Sequence, residues 1–567
     1  MPPRFSKEMQ EKVTFPDWLS YQPRTSPCEA NCPAGNPIQK VHALIKENRT
    51  EEALEYLRSR NPFPGITGRV CAHPCEQSCN RNKYDEGLSI RALERFAADH
   101  ADLTRIMRPQ KRERTGKALA IIGSGPAGMT CAYFSALLGH DVTVFESSPT
   151  LGGIPRIGIP DFRLPKDVVD REVGQILEVG IRARPNTTVG RDIEFDKILA
   201  DFDACLLAVG KWKERSLDVP GFESSLSGLS FLRQVNLGRR DRIGDRVVIM
   251  GGGGVAFDCA FTAKRLGASE VHVVCVEDKG NLCASAEDVM QAEAEGILIH
   301  GSRMISRVLN DAGRATGIEY FEISSFKFDE RGCLSVQSAG SDKGTLSADT
   351  VISAVGVQPD LKFIEGIHPF RFTLKGTLEV NPVTLATSVD SVFGAGDAVS
   401  GPSTVAQAIG SGRRAALAID RYFKGIRSPE LGWMAISEEG HVVIEEQANA
   451  SAPHIVAYEE ILNLDFFERK QRQKTDKLPS AVSVHSFEEI DKGLRQDGAS
   501  AEAGRCFHCG HCTSCGCCVS DCPGLILAMT SQGPQVAHFD ECWHCGCCRI
   551  ACPSGAVSYE FPLNMLV

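Results

Sequence analysis

Between Cys506 and Cys522 the chain places seven cysteines in seventeen residues, CFHCGHCTSCGCCVSDC, with Pro523 next. Cys512, Cys515, Cys518 and Cys522 with Pro523 spell C-x2-C-x2-C-x3-C-P, and Cys542, Cys545, Cys548 and Cys552 with Pro553 spell it again, 30 positions on. The three closely spaced thiolates wrap one iron–sulfur cubane while the fourth, behind the proline, reaches the other. The pattern therefore predicts two four-iron clusters with crossed ligands: Cys512, Cys515 and Cys518 with Cys552, and Cys542, Cys545 and Cys548 with Cys522. Structural zinc would take pairs rather than triplets. Cys517 and Cys547 occupy equivalent places in the repeat and read as small packing residues. Cys506 and Cys509 are left over.

Two glycine-rich turns carry a second kind of chemistry. Gly123, Gly125 and Gly128 follow the apolar run ALAII and open a helical stretch, and Glu146 ends the next strand-like run. Glycines at this spacing let backbone approach a pyrophosphate at a helix N-terminus, and the carboxylate suits ribose hydroxyls. Gly251, Gly253 and Ala256 form a GxGxxA variant after RVVIM, with Glu277 at the end of the following strand. A carboxylate there binds the 2'-hydroxyl of NAD and repels the 2'-phosphate of NADP, so NAD(H) is expected over NADP(H). The other reading of Glu277 is an exposed strand-end charge. Asp397, in FGAGDAVSG, lies between a strand end and a helix, where it would hold a flavin's ribityl chain, so one dinucleotide is expected to be FAD.

The elements around these residues alternate β-branched runs with amphipathic helical stretches, the rhythm of parallel α/β units, and the rhythm occurs twice. A chain of 567 residues points to several domains. No apolar h-region opens the sequence and no run of about 18 apolar residues occurs, so a cytoplasmic protein without a membrane span is expected. In that compartment thiols stay reduced, so the richness in cysteine, 23 in all with twelve between Cys506 and Cys552, points to metal ligation rather than to disulfides. A net charge of −10 argues against a nucleic-acid partner.

PCEANCPAG, NPFPGITGRVCAHPCEQSC, GGIPRIGIPDFRLPKDVV, LLAVGKW, GGGGVAFD and FGAGD together resemble the small subunit of glutamate synthase and the N-terminal half of dihydropyrimidine dehydrogenase, nearly throughout residues 1–425. The resemblance implies a multidomain chain. An α-helical iron–sulfur domain (1–115) precedes an FAD domain (116–220 and 346–425) interrupted by a nicotinamide domain (221–345). The two α/β domains are Rossmann-like. A linker (426–505) and an α+β module like a bacterial two-cluster ferredoxin (506–567) complete it. Gly153, in the third motif, joins the expected cofactor-binding residues. In dihydropyrimidine dehydrogenase one cluster uses the positions matching Cys28 and Cys79 with an upstream C-x2-C pair, and another those matching Cys32, Cys71 and Cys75 with a glutamine, at whose place stands Glu94. Here PDWLSYQPRTSP, before Cys28, holds no cysteine. Cys506 and Cys509 are a C-x2-C pair of the missing kind and are expected to complete that cluster from the other end of the chain. Otherwise they are free thiols, with Cys28 and Cys79 in no cluster.

The function these readings imply is an NADH-dependent oxidoreductase moving electrons between NAD(H), FAD and three to four four-iron clusters, to or from a ferredoxin or a larger partner in a hetero-oligomeric complex. Hydride would pass between nicotinamide and flavin, and electrons singly into the clusters, so no acid–base residue is nominated. The alternatives are an NADPH-dependent glutamate synthase small subunit and a wiring or bifurcating subunit.

Overall fold

The computed structural model describes residues 19–21, 24–401, 403–426, 432–445, 454–530, 533–538, 541–543 and 545–559. Its N-terminal layer is helical. Ile38–Lys46, Thr50–Arg58 and Ile90–His100 each present one apolar stripe, and Leu44, Ile45, Leu57, Leu93 and Phe96 close over one another as a small core. Two short helices, Pro27–Ala30 and Pro74–Gln77, begin with proline and carry Cys28 and Cys75 in second position.

The repeated α/β rhythm folds as two five-stranded sheets. In the first the order is Val392–Gly394, Ala204–Leu207, Ala118–Ile122, Asp141–Phe145, Arg182–Arg184, all parallel. Helices Pro126–Leu137 and Val405–Phe423 pack together over it. The second sheet runs Leu298–His300, Glu270–Val274, Arg246–Met250, Thr350–Ser353, Leu226–Ser227, again all parallel. Its central strands are apolar on both faces, since Val247, Ile249, Val271 and Val273 pack against helices while Val248, Met250 and Val274 pack against Ile305, Val308 and Ile318 of a further sheet. An antiparallel sheet of Arg303–Asp311, Arg314–Phe328 and Leu334–Ser347 follows. Lys213–Glu214 and Val357–Gln358 pair where the chain leaves and re-enters the first unit.

Two boundaries differ from expectation. Thr350–Ser353 pairs with Arg246–Met250, so the inserted unit reaches Ser353 rather than ending at 345. Residues 426–505 are not a free linker: Gln496–Ala503 is a helix whose Ala499 and Ala503 complete the N-terminal core. Ser483 donates to Glu295 Oε1 at 3.1 Å, beside the fully buried pair of Arg265 and Glu295. Near the ends of the chain, Leu19–Tyr21 pairs antiparallel with Val557–Tyr559. Among the described residues no helix is long and apolar enough to cross a membrane.

Candidate functional site

The first glycine turn is shaped by its neighbours. A Cβ on Gly123 would lie 2.4 Å from the Ala208 carbonyl oxygen, and one on Gly128 only 2.0 Å from the Gly123 oxygen, so strand and helix touch there through backbone. A Cβ on Gly125, the N-cap of Pro126–Leu137, would meet nothing within 4 Å. That open side is where a phosphate could approach. Glu146 accepts from the Ser124 N–H at 3.0 Å and from the Ser148 N–H at 2.7 Å, which holds its carboxylate under the turn. Gly153 crosses in front, where a Cβ would come within 2.7 Å of the Gly125 Cα. Asp397 opens Asp397–Ser400 after Gly396, whose own Cβ would touch that of Ala127 at 2.9 Å. Gly123, Gly125, Gly128, Glu146, Gly153 and Asp397 thus gather around one helix N-terminus. Burial raises the Asp397 carboxyl above its usual range, against a hydrogen bond from Ser403 and the charge of buried Lys211. Lys211 lies in a motif noted for its resemblance, but nothing in the sequence gave it a role.

The second turn repeats the arrangement. Gly251 has φ 125° and a Cβ there would lie 2.4 Å from the Ala354 oxygen, while Gly253 and Gly254 are open. Gly253 caps Gly254–Arg265, in which Ala256 is buried. The Glu277 carboxylate lies against the turn, since a Cβ on Gly252 would be 2.8 Å from its Oε2. Lys279, the nearby cation that could offset it, is paired with Glu293 at 2.6 Å.

The N-terminal cysteines fall into two sets. Cys28, Cys79, Cys506 and Cys509 are all buried. Burial pushes the Cys28 thiol well up, and negative charge on Cys79, Cys506 and Cys509 pushes it further, so the four sulfurs share one electrostatic neighbourhood. His508 N–H donates to Cys506 Sγ and Asn80 Nδ2 to Cys509 Sγ, each at 3.4 Å. The tail is pinned beside them. Arg81 donates to the Arg505 carbonyl at 2.7 Å and stacks over Phe507, and Arg505 pairs with Asp85 and Glu502.

Cys32, Cys71, Cys75 and Glu94 line one internal cavity. Backbone N–H groups of Asn36 and His73 donate to Cys32 Sγ and Cys71 Sγ at 3.4 Å. Glu94 Oε1 accepts from Asn36, Asn61 and Thr67 at 3.1, 3.0 and 2.5 Å, and among the described residues no donor reaches Oε2. Burial raises this carboxyl to about 7. His42 lines the same cavity with Nδ1 unpartnered, and no sequence pattern had singled it out. Val405–Phe423 connects this cavity to the Asp397 turn: Ala406 lines the cavity, and Arg413 reaches Gly35, beside Cys32.

At the C-terminus the two halves of the repeat give matching short helices, Cys517–Ser520 after Gly516 and Cys547–Ala551 after Gly546. Cys512, Cys518, Cys522, Cys542, Cys548 and Cys552 share one apolar cluster. The charges that raise the Cys518 thiol come from Cys552, Cys512 and Cys515 before Cys548, and those on Cys548 from Cys542, Cys545 and Cys522, which is a crossed neighbourhood. Cys517 and Cys547 lie half-exposed against Cys515 and Cys545 rather than in a core.

Buried thiols that mutually raise one another's pKa, yet receive N–H donors at sulfur, fit a cationic centre that would keep them as thiolates. The donor sets therefore suit iron–sulfur clusters, and the open glycine turns suit dinucleotides.

Comparison with known proteins supports the nucleotide and N-terminal iron–sulfur parts of this inventory. The family described as pyridine nucleotide-disulphide oxidoreductase matches residues 117–412, and that described as dihydropyrimidine dehydrogenase domain II, 4Fe-4S cluster, matches residues 21–106. The beta subunit of an NADP(+)-dependent formate dehydrogenase from Moorella thermoacetica is 35% identical over 521 residues, covering 87% of this chain and 71% of its own. The beta subunit of an NADPH-Fe(3+) oxidoreductase from Geobacter sulfurreducens is 32% identical over 514 residues, 86% of this chain and 75% of its own. The small chain of an NADPH glutamate synthase from Azospirillum brasilense is 33% identical over 416 residues, 70% of this chain and 86% of its own. Flavin, pyridine nucleotide and iron–sulfur chemistry thus come together in one chain, which belongs to the pyridine nucleotide-disulphide oxidoreductase family and is an oxidoreductase.

Proposed function

We propose that the chain is an NADH-oxidising electron-transfer subunit of a cytoplasmic hetero-oligomeric complex. FAD would be held by Gly123, Gly125, Gly128, Glu146, Gly153 and Asp397, and NAD(H) by Gly251, Gly253, Ala256 and Glu277. Four four-iron clusters would take Cys28, Cys79, Cys506 and Cys509; Cys32, Cys71, Cys75 and Glu94; and the two crossed C-terminal sets. When bound, these groups supply the exchange between two-electron hydride chemistry and single-electron transfer. The protein's part is to space and bury them. Glu94 Oε2 is free to ligate because Asn36, Asn61 and Thr67 all engage Oε1. Backbone N–H donors at the cysteine sulfurs raise the potential of whatever they hold. The observation that most supports the reading is the single helix Val405–Phe423, which touches the Asp397 turn, where Ser411 Oγ accepts from the Gly396 N–H at 3.1 Å, and, through Ala406, the cavity of Cys32, Cys71 and Cys75.

The partner reading draws on the relatives, of which two are named beta subunits and one a small chain. Those same names favour a second reading in which the donor is NADPH. Glu277 supports NADH, because a carboxylate against the glycine turn faces a 2'-phosphate with like charge. Anaerobic dye reduction by the purified chain separates the readings. Higher kcat/KM with NADH is expected. Higher kcat/KM with NADPH overturns the donor assignment, and no reduction with either overturns the oxidoreductase role of the isolated chain.

A further inference from the structure

Away from both glycine turns, a cavity of about 800 Å³ opens where the N-terminal helices, the connection 101–117 and the outer side of the first nucleotide unit meet. This is the size of a small-molecule site. Tyr133 stands in its wall, seven residues into Pro126–Leu137 and so roughly 10 Å along the helix from the glycine turn. It is 6% exposed, and its hydroxyl has no hydrogen-bond partner among the described residues. Beside it lies Arg58, whose positive charge acts on the phenol. One guanidinium nitrogen of Arg58 donates to Gln175, and no carboxylate comes within ion-pair distance of it among the described residues.

The surrounding acids do not fill that role. Glu52 pairs with Arg49, Glu55 accepts from the Met107 N–H, Glu178 faces Arg108 and Glu438 accepts from Tyr56. Glu172, whose field reaches Arg58, is bound by the N–H groups of Gly65 and Ile66. Apart from the one Arg58 bond to Gln175, the guanidinium and phenol donors are therefore left together without an acceptor. Such a pair matches a planar carboxylate, which takes several donors at once. The remaining wall includes Pro62, Ile176, Val179 and Ile436, which is suited to an apolar body. Apart from Arg58 the lining charges balance, Lys40, Arg49, Arg108 and Lys111 against Glu52, Glu55, Glu178 and Glu438, so the one cation in excess suits a monoanion better than a dianion.

The geometry points to a second small-molecule site here, taking a monocarboxylate with an apolar chain or ring, its carboxylate on Arg58 and Tyr133. Because the cavity is shared by the helical layer and the nucleotide unit, its occupant would brace one against the other.

Calorimetric titration of the full holoprotein with octanoate tests this directly. One saturable site is expected, weakened about tenfold or more by Arg58→Met and about threefold or more by Tyr133→Phe, as loss of a charged and a neutral hydrogen bond implies. Both variants should keep the flavin spectrum and iron content of the parent. Octanol and inorganic phosphate, which lack respectively the charge and the apolar body, should bind at least about tenfold more weakly. Absence of saturable octanoate binding, equal affinity in the well-folded Tyr133→Phe protein, or tighter binding of octanol or phosphate would overturn the assignment.

Discussion

Replacing Cys506 and Cys509 together by serine is expected to lower the iron content from about sixteen to about twelve per chain, at one four-iron cluster per complete ligand set. Flavin content and the signals of the C-terminal pair should stay. The tail is held by more than its sulfurs. Phe507 is 2% exposed between Tyr84, Phe467 and Arg81, a burial worth about 1.5–3 kcal/mol. Arg505 adds Asp85, Glu502 and the Glu86 carbonyl. The helix Gln496–Ala503 stays in the N-terminal core whatever happens to the two thiols. A double variant therefore keeps its backbone in place and loses ligands alone, since Cys28 and Cys79 by themselves are a deficient set for a cubane. Iron and acid-labile sulfide analysis of anaerobically purified protein reads the difference. An unchanged iron count would make the two thiols unligated and the tail a separately attached module.

The second large effect is in cofactor choice. Glu277→Arg is expected to raise the ratio of kcat/KM for NADPH to that for NADH by about 30-fold or more, corresponding to about 2 kcal/mol for exchanging repulsion of a phosphate for attraction. Lys279 is partly neutralised in the parent protein by an exposed ion pair with Glu293 at 2.6 Å, so it offsets Glu277 only weakly. Steady-state kinetics on the purified variant supply the test. An unmoved ratio would place the nicotinamide ribose elsewhere and reduce Glu277 to a strand-end charge beside Gly252.

How legible these features are depends on whether the signal is local. C-x2-C-x2-C-x3-C-P carries its geometry in its own spacing, so its eight cysteines can be singled out without the fold, and six of them share one cluster in the structure. The gathering of Cys506 with Cys28 has no local signal, and came only from a pair missing at one end and spare at the other. The contacts that enforce it come from Arg81 and Arg505, which look like surface charges in sequence and are each 3% exposed or less. Hydropathy fails in the same way for residues 426–505. That stretch docks through polar pairs, Arg95 with Asp491, Arg472 with Glu76 and Ser483 with Glu295, and through a few scattered apolar residues such as Leu494, Ala499 and Ala503, so its composition looks like a linker's. The boundary differs from 345 because Thr350–Ser353 is a four-residue strand whose partners, Leu226–Ser227 and Arg246–Met250, lie far upstream in the sequence. His42 and Tyr133 are single polar residues among apolar helix positions, and only packing reveals that His42 Nδ1 is buried without a partner and that Tyr133 faces a cavity.

The central claim is that one chain carries reducing equivalents from a nicotinamide to buried cysteine-held centres. An anaerobic titration of the purified protein with NADH, followed by flavin absorbance and by electron paramagnetic resonance, addresses it most directly. The account predicts that the flavin bleaches and that reduced-cluster signals grow in the same titration, with uptake of more than the roughly two electrons a flavin alone accepts. Bleaching confined to the flavin, with cluster signals emerging only under dithionite, would contradict it.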